Sequence, residues 1–190
     1  MRNFVFAFLM AMATCLFANQ VFANPGTSVK VNGKTYYMEQ MVSQFATVFN
    51  PRAKSRTSNI NLAREKLNGM IIMPNEVVSF NDRVGPRTKE AGFLEAASYE
   101  NGKKTTSIGG GICQLASTFS GAAINLDMKV IERHRHSLPV SYIGPEKEAT
   151  VAYGFKDFRF QNNTKQVFFV KAFIVKNKLY VEFWRCRSAC

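Results

Sequence analysis

Ser107-Ile108-Gly109-Gly110-Gly111-Ile112-Cys113-Gln114-Leu115-Ala116 runs a glycine triplet straight into a periodic apolar segment. From Ile112 the apolar residues recur at Leu115, Ala116, Phe119, Ala122, Ala123 and Leu126. That is the i, i+3, i+4, i+7 series of a helix with one buried stripe. Cys113 and Gln114 fall on its first turn, off the stripe. A cysteine there meets unpaired amides and the positive end of the helix dipole, which favour thiolate over thiol. The other reading of Cys113 is a structural thiol in a tightly packed turn, and the local sequence leaves both open.

Beyond that helix the pattern changes to strands. Residues 129–136, 138–143, 149–153 and 158–161 are strand candidates, and 166–175 and 179–184 form a hairpin across Lys176-Asn177-Lys178. In the last segment Leu179, Val181 and Phe183 alternate with Tyr180, Glu182 and Trp184, as one buried face requires. The expected fold is α+β, with one long central helix packed on an antiparallel sheet and a loop-rich N-terminal half.

That half reads as follows. Residues 29–37 form a hairpin across Asn32-Gly33, a type I′ turn pair. Residues 38–49 place Met38, Met41, Val42, Phe45 and Phe49 at helical spacing but carry the Phe, Val and Thr content of a strand. Residues 50–58 are a polar, basic connector. A helix over 59–68 is capped by Ser58 or Asn59 and ended by Gly69. Strand-like segments 70–73 and 76–80 flank a Pro74-Asn75 turn. Residues 80–104 read as loop, with a short helix near 94–99.

The 190 residues suit one domain. Residues 1–23 have the form of a secretory signal: a basic start at Arg2, an apolar run too short to span a bilayer, and Val21-Phe22-Ala23 as the cleavage site. The expected division is 1–23 signal peptide, 24–55 hairpin and connector, 56–185 main domain, and 186–190 a cysteine-containing tail. Export to the periplasm or outer envelope follows, with no transmembrane span after cleavage. Cys113, Cys186 and Cys190 would remain; Cys186 pairs with Cys190, or Cys113 pairs with one of them. A net charge of +12 favours peptidoglycan or another anionic envelope polymer as partner. Nucleic acid is disfavoured by export and by the lack of a dense basic run with aromatics. Arg83, Arg87, Lys89, Tyr99, Lys103 and Lys104 suit an anionic, partly apolar ligand such as peptide carboxylates, or else a solvated loop.

Glu132-Arg133-His134-Arg135-His136 holds both histidines of the chain. On a strand, Glu132, His134 and His136 share one face and the arginines the other. An acyl-transferring cysteine needs an imidazole to manage its proton and a third polar group to orient the ring. The candidates are Cys113 as nucleophile, His136 or His134 as base, and Asp157 or Glu132 as orienting group. Gln114 joins the amides after the glycines as oxyanion donors. Gly109, Gly110, Gly111, Ser117 and Arg133 complete the expected ligand site. Zinc on Cys113, His134 and His136 is the weaker alternative, because paired ligand spacing is missing; no metal or cofactor is expected.

Several segments together resemble the VanW family. They are Asn59-Ile60 with Leu67-Asn68-Gly69, Pro74-Asn75-Glu76 through Ser79-Phe80-Asn81, and Val84-Gly85. Gly109-Gly110-Gly111-Ile112-Cys113-Gln114 with Ser117-Thr118 is the most specific. Ile131-Glu132-Arg133 with His136, Ala149-Thr150-Val151, Tyr153-Gly154, Asp157 and Phe160-Gln161-Asn162 follow in order. The chain departs at Asn75, where the family usually has Gly, and at Glu148, where it usually has Asp. The resemblance implies an exported or membrane-anchored envelope protein related to an accessory component of vancomycin-resistance clusters. It does not supply a reaction. Two functions are therefore expected: a cysteine-dependent amide or ester hydrolase or acyl transferase acting on peptidoglycan peptides, or a non-catalytic wall-binding module.

Overall fold

A computed structural model describes residues 26–100 and 103–188. The expected signal segment 1–23 and Cys190, with any bond it makes, lie outside the described residues. The elements in order are β1 (Ser28–Val31), β2 (Lys34–Val48), α1 (Lys54–Leu67), β3 (Ile71–Ile72), β4 (Val77–Ser79), α2 (Phe80–Val84), β5 (Glu95–Glu100), β6 (Lys103–Ile108), α3 (Ile112–Ile124), β7 (Lys129–Glu132), β8 (Arg159–Gln161), β9 (Val167–Val175) and β10 (Lys178–Ser188). Three antiparallel sheets result, ordered β1-β2-β10-β9-β3, β4-β8-β7 and β5-β6.

The expected α+β fold with a long central helix is corrected. The chain is mostly strand, its main antiparallel sheet is curled, and its three helices are short, α3 having 13 residues. The N-terminal half is not loop-rich either, since β2 alone runs 15 residues. Its helical-looking spacing has a definite origin. Phe183 faces Ser43 while Trp184 faces Met41, and Arg185 faces Gln40 while Cys186 faces Met38. Val42 and Glu39 are therefore the extra residues of two β-bulges, and each bulge inverts the in-out alternation. A period of two broken twice imitates a period nearer three and a half.

Other boundaries move for local reasons. α1 begins at Lys54, inside the segment read as connector, and Asn59 lies within it rather than capping it. β5 and β6 pair antiparallel, where loop over 80–104 with a short helix near 94–99 was expected. Residues 138–143 contribute no strand, and 149–153 only isolated bridges, Thr150 with His134 and Ala152 with Lys156.

α3 is buried nearly all round: every residue from Gln114 to Ala123 is enclosed, not one stripe. Phe119 anchors it, with ring centroids 5.3, 5.7 and 6.0 Å from Phe160, Phe183 and Phe158. Gly121 admits β2 on another side, since a Cβ there would sit 2.6 Å from the Phe45 ring. Small residues on the flanks of α3 let the sheets close around it. Only its first turn opens onto a cleft.

Candidate functional site

The glycine triplet is a seat shaped by three neighbours. A Cβ on Gly110 would lie 2.5 Å from the Ala96 carbonyl oxygen and 2.7 Å from that of Ala97, so β5 passes directly over it. Gly109 (φ +84°) and Gly111 (φ +107°) need the left-handed region, and their missing side chains leave room for the stems of Arg87 and Arg56, 2.9 and 2.8 Å from the ideal Cβ positions. Asn59 fixes the seat from α1. Its amide donates to the Gly110 and Leu94 carbonyls at 3.1 and 2.8 Å and its oxygen accepts the Leu94 N–H at 2.8 Å.

Cys113, one residue into α3, is half-buried at the wall of a cleft of about 710 Å³. Its sulfur lies 3.6 Å from the Thr150 hydroxyl and 3.5 Å from the Val151 carbonyl oxygen. Burial alone would raise the thiol's pKa. A hydrogen bond with His136, others with Val151 and Thr150, and the charge on His136 outweigh burial and bring it below its ordinary value. For His136, burial disfavours the charged ring, but the Cys113 hydrogen bond and charge, followed by those of Glu148, raise it above its ordinary value. Nδ1 of His136 lies 3.2 Å from Oε2 of Glu148, which leaves Nε2 for the sulfur. A Tyr142 ring packs edge-on to the imidazole at 6.4 Å. Burial, then the Cys113 charge, hold its phenol protonated far above the ordinary range. The arrangement is a thiol against an imidazole with a carboxylate behind it, and both shifts run toward the charged forms of the pair.

The structure thus brings together Cys113, His136 and the glycines, and separates the other candidates. His134 turns away to Glu132, 2.9 Å from its carboxylate. Glu132 is held below the usual carboxylate range, chiefly by that hydrogen bond, and accepts the Asp157 N–H. Asp157 faces Ser79 and the amides of Asn81 and Phe158, so it braces α2 and β8 rather than the imidazole. β7 ends at Glu132, and His134 makes only an isolated bridge, so the strand face that Glu132, His134 and His136 were expected to share does not form. Among the described residues no cluster of three His, Cys, Asp or Glu side chains is placed to hold a metal.

Gln114 is no oxyanion donor. Its amide donates to Thr47 Oγ1 and the Val48 carbonyl at 3.0 and 2.8 Å, and its oxygen accepts Arg56 at 2.8 Å. The amides of Ile112 and Gln114 donate to Gly109 and Gly111. Those of Gly111 and Cys113 have no partner among the described residues, as expected at a helix start. Ser117 and Arg133 also play another part than ligand contact. Ser117 Oγ donates to the Ala149 carbonyl at 3.1 Å and accepts its N–H at 2.9 Å. Arg133 donates to the carbonyls of Glu146 and Glu148 at 2.7 and 3.1 Å. Together they pin the chain on both sides of Glu148, the orienting carboxylate that sequence reasoning missed. The signal was there: a carboxylate directly before Ala149-Thr150-Val151.

The cleft is basic, lined by Arg56, Arg87, Arg135 and Lys156, with no carboxylate in its walls among the described residues. Arg87 is distinctive. Both terminal nitrogens are buried without a hydrogen-bond partner among the described residues, and burial lowers its pKa despite the opposing charges of Cys113 and Asp157. The second thiol, Cys186, is free, buried in β10 and pushed up to about 11 by burial, so no bond joins it to Cys113. No helix among the described residues is long and apolar enough to cross a membrane.

A family model described as VanW like protein matches residues 55–184. The chain is 38% identical over 133 residues to the uncharacterized protein YoaR of Bacillus subtilis, covering 70% of this chain and 44% of that one. It is 29% identical over 116 residues to the vancomycin B-type resistance protein VanW of Enterococcus faecalis, covering 58% and 42%. The matched part therefore spans less than half the length of these curated relatives. No solved structure resembles the chain closely enough to count as a match.

Proposed function

This chain belongs to the VanW-like family, and we propose that its cleft is an acyl-transfer site of the cell envelope, cleaving or exchanging amide or ester bonds in peptidoglycan peptides. The observation that carries the reading is the Cys113–His136–Glu148 chain at the mouth of a basic cleft. The Cys113 thiolate attacks the acyl carbonyl carbon, and the oxygen that gains charge is received by the N–H groups of Gly111 and Cys113. The His136 imidazolium gives its Nε2 proton to the leaving amine or alcohol, and a thioester remains on Cys113. Water or an acceptor amine then loses a proton to Nε2 and attacks the thioester, releasing the thiolate. Glu148 keeps the ring oriented and steadies its positive form.

Export to the envelope, by the segment 1–23, belongs to the same proposal; the relative named for vancomycin resistance and the basic charge support it. Incubation with peptidoglycan stem peptides, followed by intact-mass measurement, tests the chemistry. The expected result is an acyl adduct on Cys113 and a cleaved or exchanged peptide, both lost in Cys113→Ala. Peptide binding without adduct or product would overturn it and leave the non-catalytic wall-binding module.

A further inference from the structure

We propose that Arg87 is the substrate-specificity residue of this cleft, a fixed guanidinium that receives a free carboxylate of the peptide beside the bond Cys113 attacks. The inference rests on the acyl-transfer reading for its second half only; carboxylate capture at Arg87 stands by itself.

Four observations converge on it. Both terminal nitrogens of Arg87 are enclosed and unpartnered among the described residues, which is costly for a cation unless an acceptor arrives. The guanidinium packs against two aromatic rings, 5.6 Å from the Phe80 centroid and 5.7 Å from that of Tyr153. Its stem lies against Gly109, where any side chain would collide with it, so the glycine that begins the seat of Cys113 also sets the position of Arg87. Among the described residues the cleft walls carry three other cationic side chains and no carboxylate, so the field within favours an anion.

The nearby acid attracts Arg87 through its charge but makes no hydrogen bond to its terminal nitrogens. The Asp157 carboxylate is engaged by Ser79, Asn81 and the Phe158 amide. A planar guanidinium fork fits two carboxylate oxygens at once. Phe80 is fully buried and Tyr153 is 47% exposed, so Tyr153 is the cover that turns aside when the carboxylate enters.

The test uses N-acetylglycine and its uncharged counterpart N-acetylglycinamide as probes. Their binding to the full chain carrying Cys113→Ala is followed by NMR shift titration, which needs no reactive thiol. N-acetylglycine is expected to bind at least tenfold more tightly than the amide, and Arg87→Gln to remove roughly tenfold of that preference, the worth of a charge-assisted pair. Arg87→Lys keeps the charge and loses the fork, so an intermediate loss is expected; this variant also carries the test if Arg87→Gln unfolds. Equal binding of both probes, or a preference unchanged in both variants, would overturn the subsite. The second half is read on the native thiol: iodoacetate should alkylate Cys113 faster than iodoacetamide, and Arg87→Gln should slow iodoacetate alone. An iodoacetate advantage that survives Arg87→Gln would place the carboxylate elsewhere. Slow iodoacetamide alkylation at the ordinary thiol pH would count against the acyl-transfer reading, while the NMR titration would still decide the subsite.

Discussion

Oε2 of Glu148 meets Nδ1 of His136 at 3.2 Å, with the two side chains only 6% and 10% exposed. A contact so sheltered from water fixes the ring and its charge together, because little solvent competes for either group. Arg133 and Ser117 hold the Glu148 backbone from both sides, so the longer side chain reaches the imidazole without a loose loop.

Replacing that carboxylate has a direction set by the pKa shifts. Glu148 is one of the groups that raise His136, so Glu148→Gln should let the ring lose its proton at lower pH. The upper limb of a pH–rate profile then moves down, and the rate falls roughly 10- to 100-fold, part of what a positioned acid–base group provides. Glu148→Ala should add about 1–3 kcal/mol of destabilisation by leaving a buried ring nitrogen unpaired. Rate profiles and urea unfolding of both variants check this.

Asp157 separates architecture from chemistry. Its carboxylate ties Ser79, Asn81 and Phe158 together, so Asp157→Ala should cost about 2–3 kcal/mol of stability. The pH dependence of Cys113 alkylation should stay where it is. A moved inflection would mean that Asp157, not Glu148, serves the imidazole.

The triplet glycines should fail differently. Gly110→Ala drives a methyl into the carbonyls of Ala96 and Ala97, backbone that cannot step aside, with about 3 kcal/mol lost. Gly109→Ala forces an L residue to φ +84° and presses the Arg87 stem, at about 1–2 kcal/mol for the backbone. Thermal unfolding should rank Gly110→Ala as the worse folder, and N-acetylglycine binding should suffer in Gly109→Ala even where the fold survives.

What could be read from the residues was local. The helix after the triplet, the β9-β10 hairpin and the Cys–His pairing rest on short-range periodicity and on chemistry-bearing side chains in chain order. The strand nature of β2 was hidden because two bulges scrambled its period, and bulges are a property of the β10 partner as much as of β2. The roles of Gln114, Ser117 and Arg133 were hidden for a similar reason. Each bonds to backbone far along the chain, at Val48, Ala149 or Glu146, and a side chain that braces looks like one that binds until its partner is known. Asp157 shows the converse: it is of the right type in the right order, but its oxygens go to Ser79, Asn81 and Phe158.

The central claim is a Cys113 thiolate sustained by His136, and the pH dependence of iodoacetamide alkylation measures it directly. The Cys113 pKa is lowered and the His136 pKa is raised, so the ion pair persists as pH falls below the usual thiol range, until the thiolate is protonated. The predicted inflection lies clearly below the ordinary thiol value of about 8.5, and His136→Gln should return it upward with slower alkylation at neutral pH. An inflection at the ordinary value in the native protein, unmoved by His136→Gln, would contradict the account.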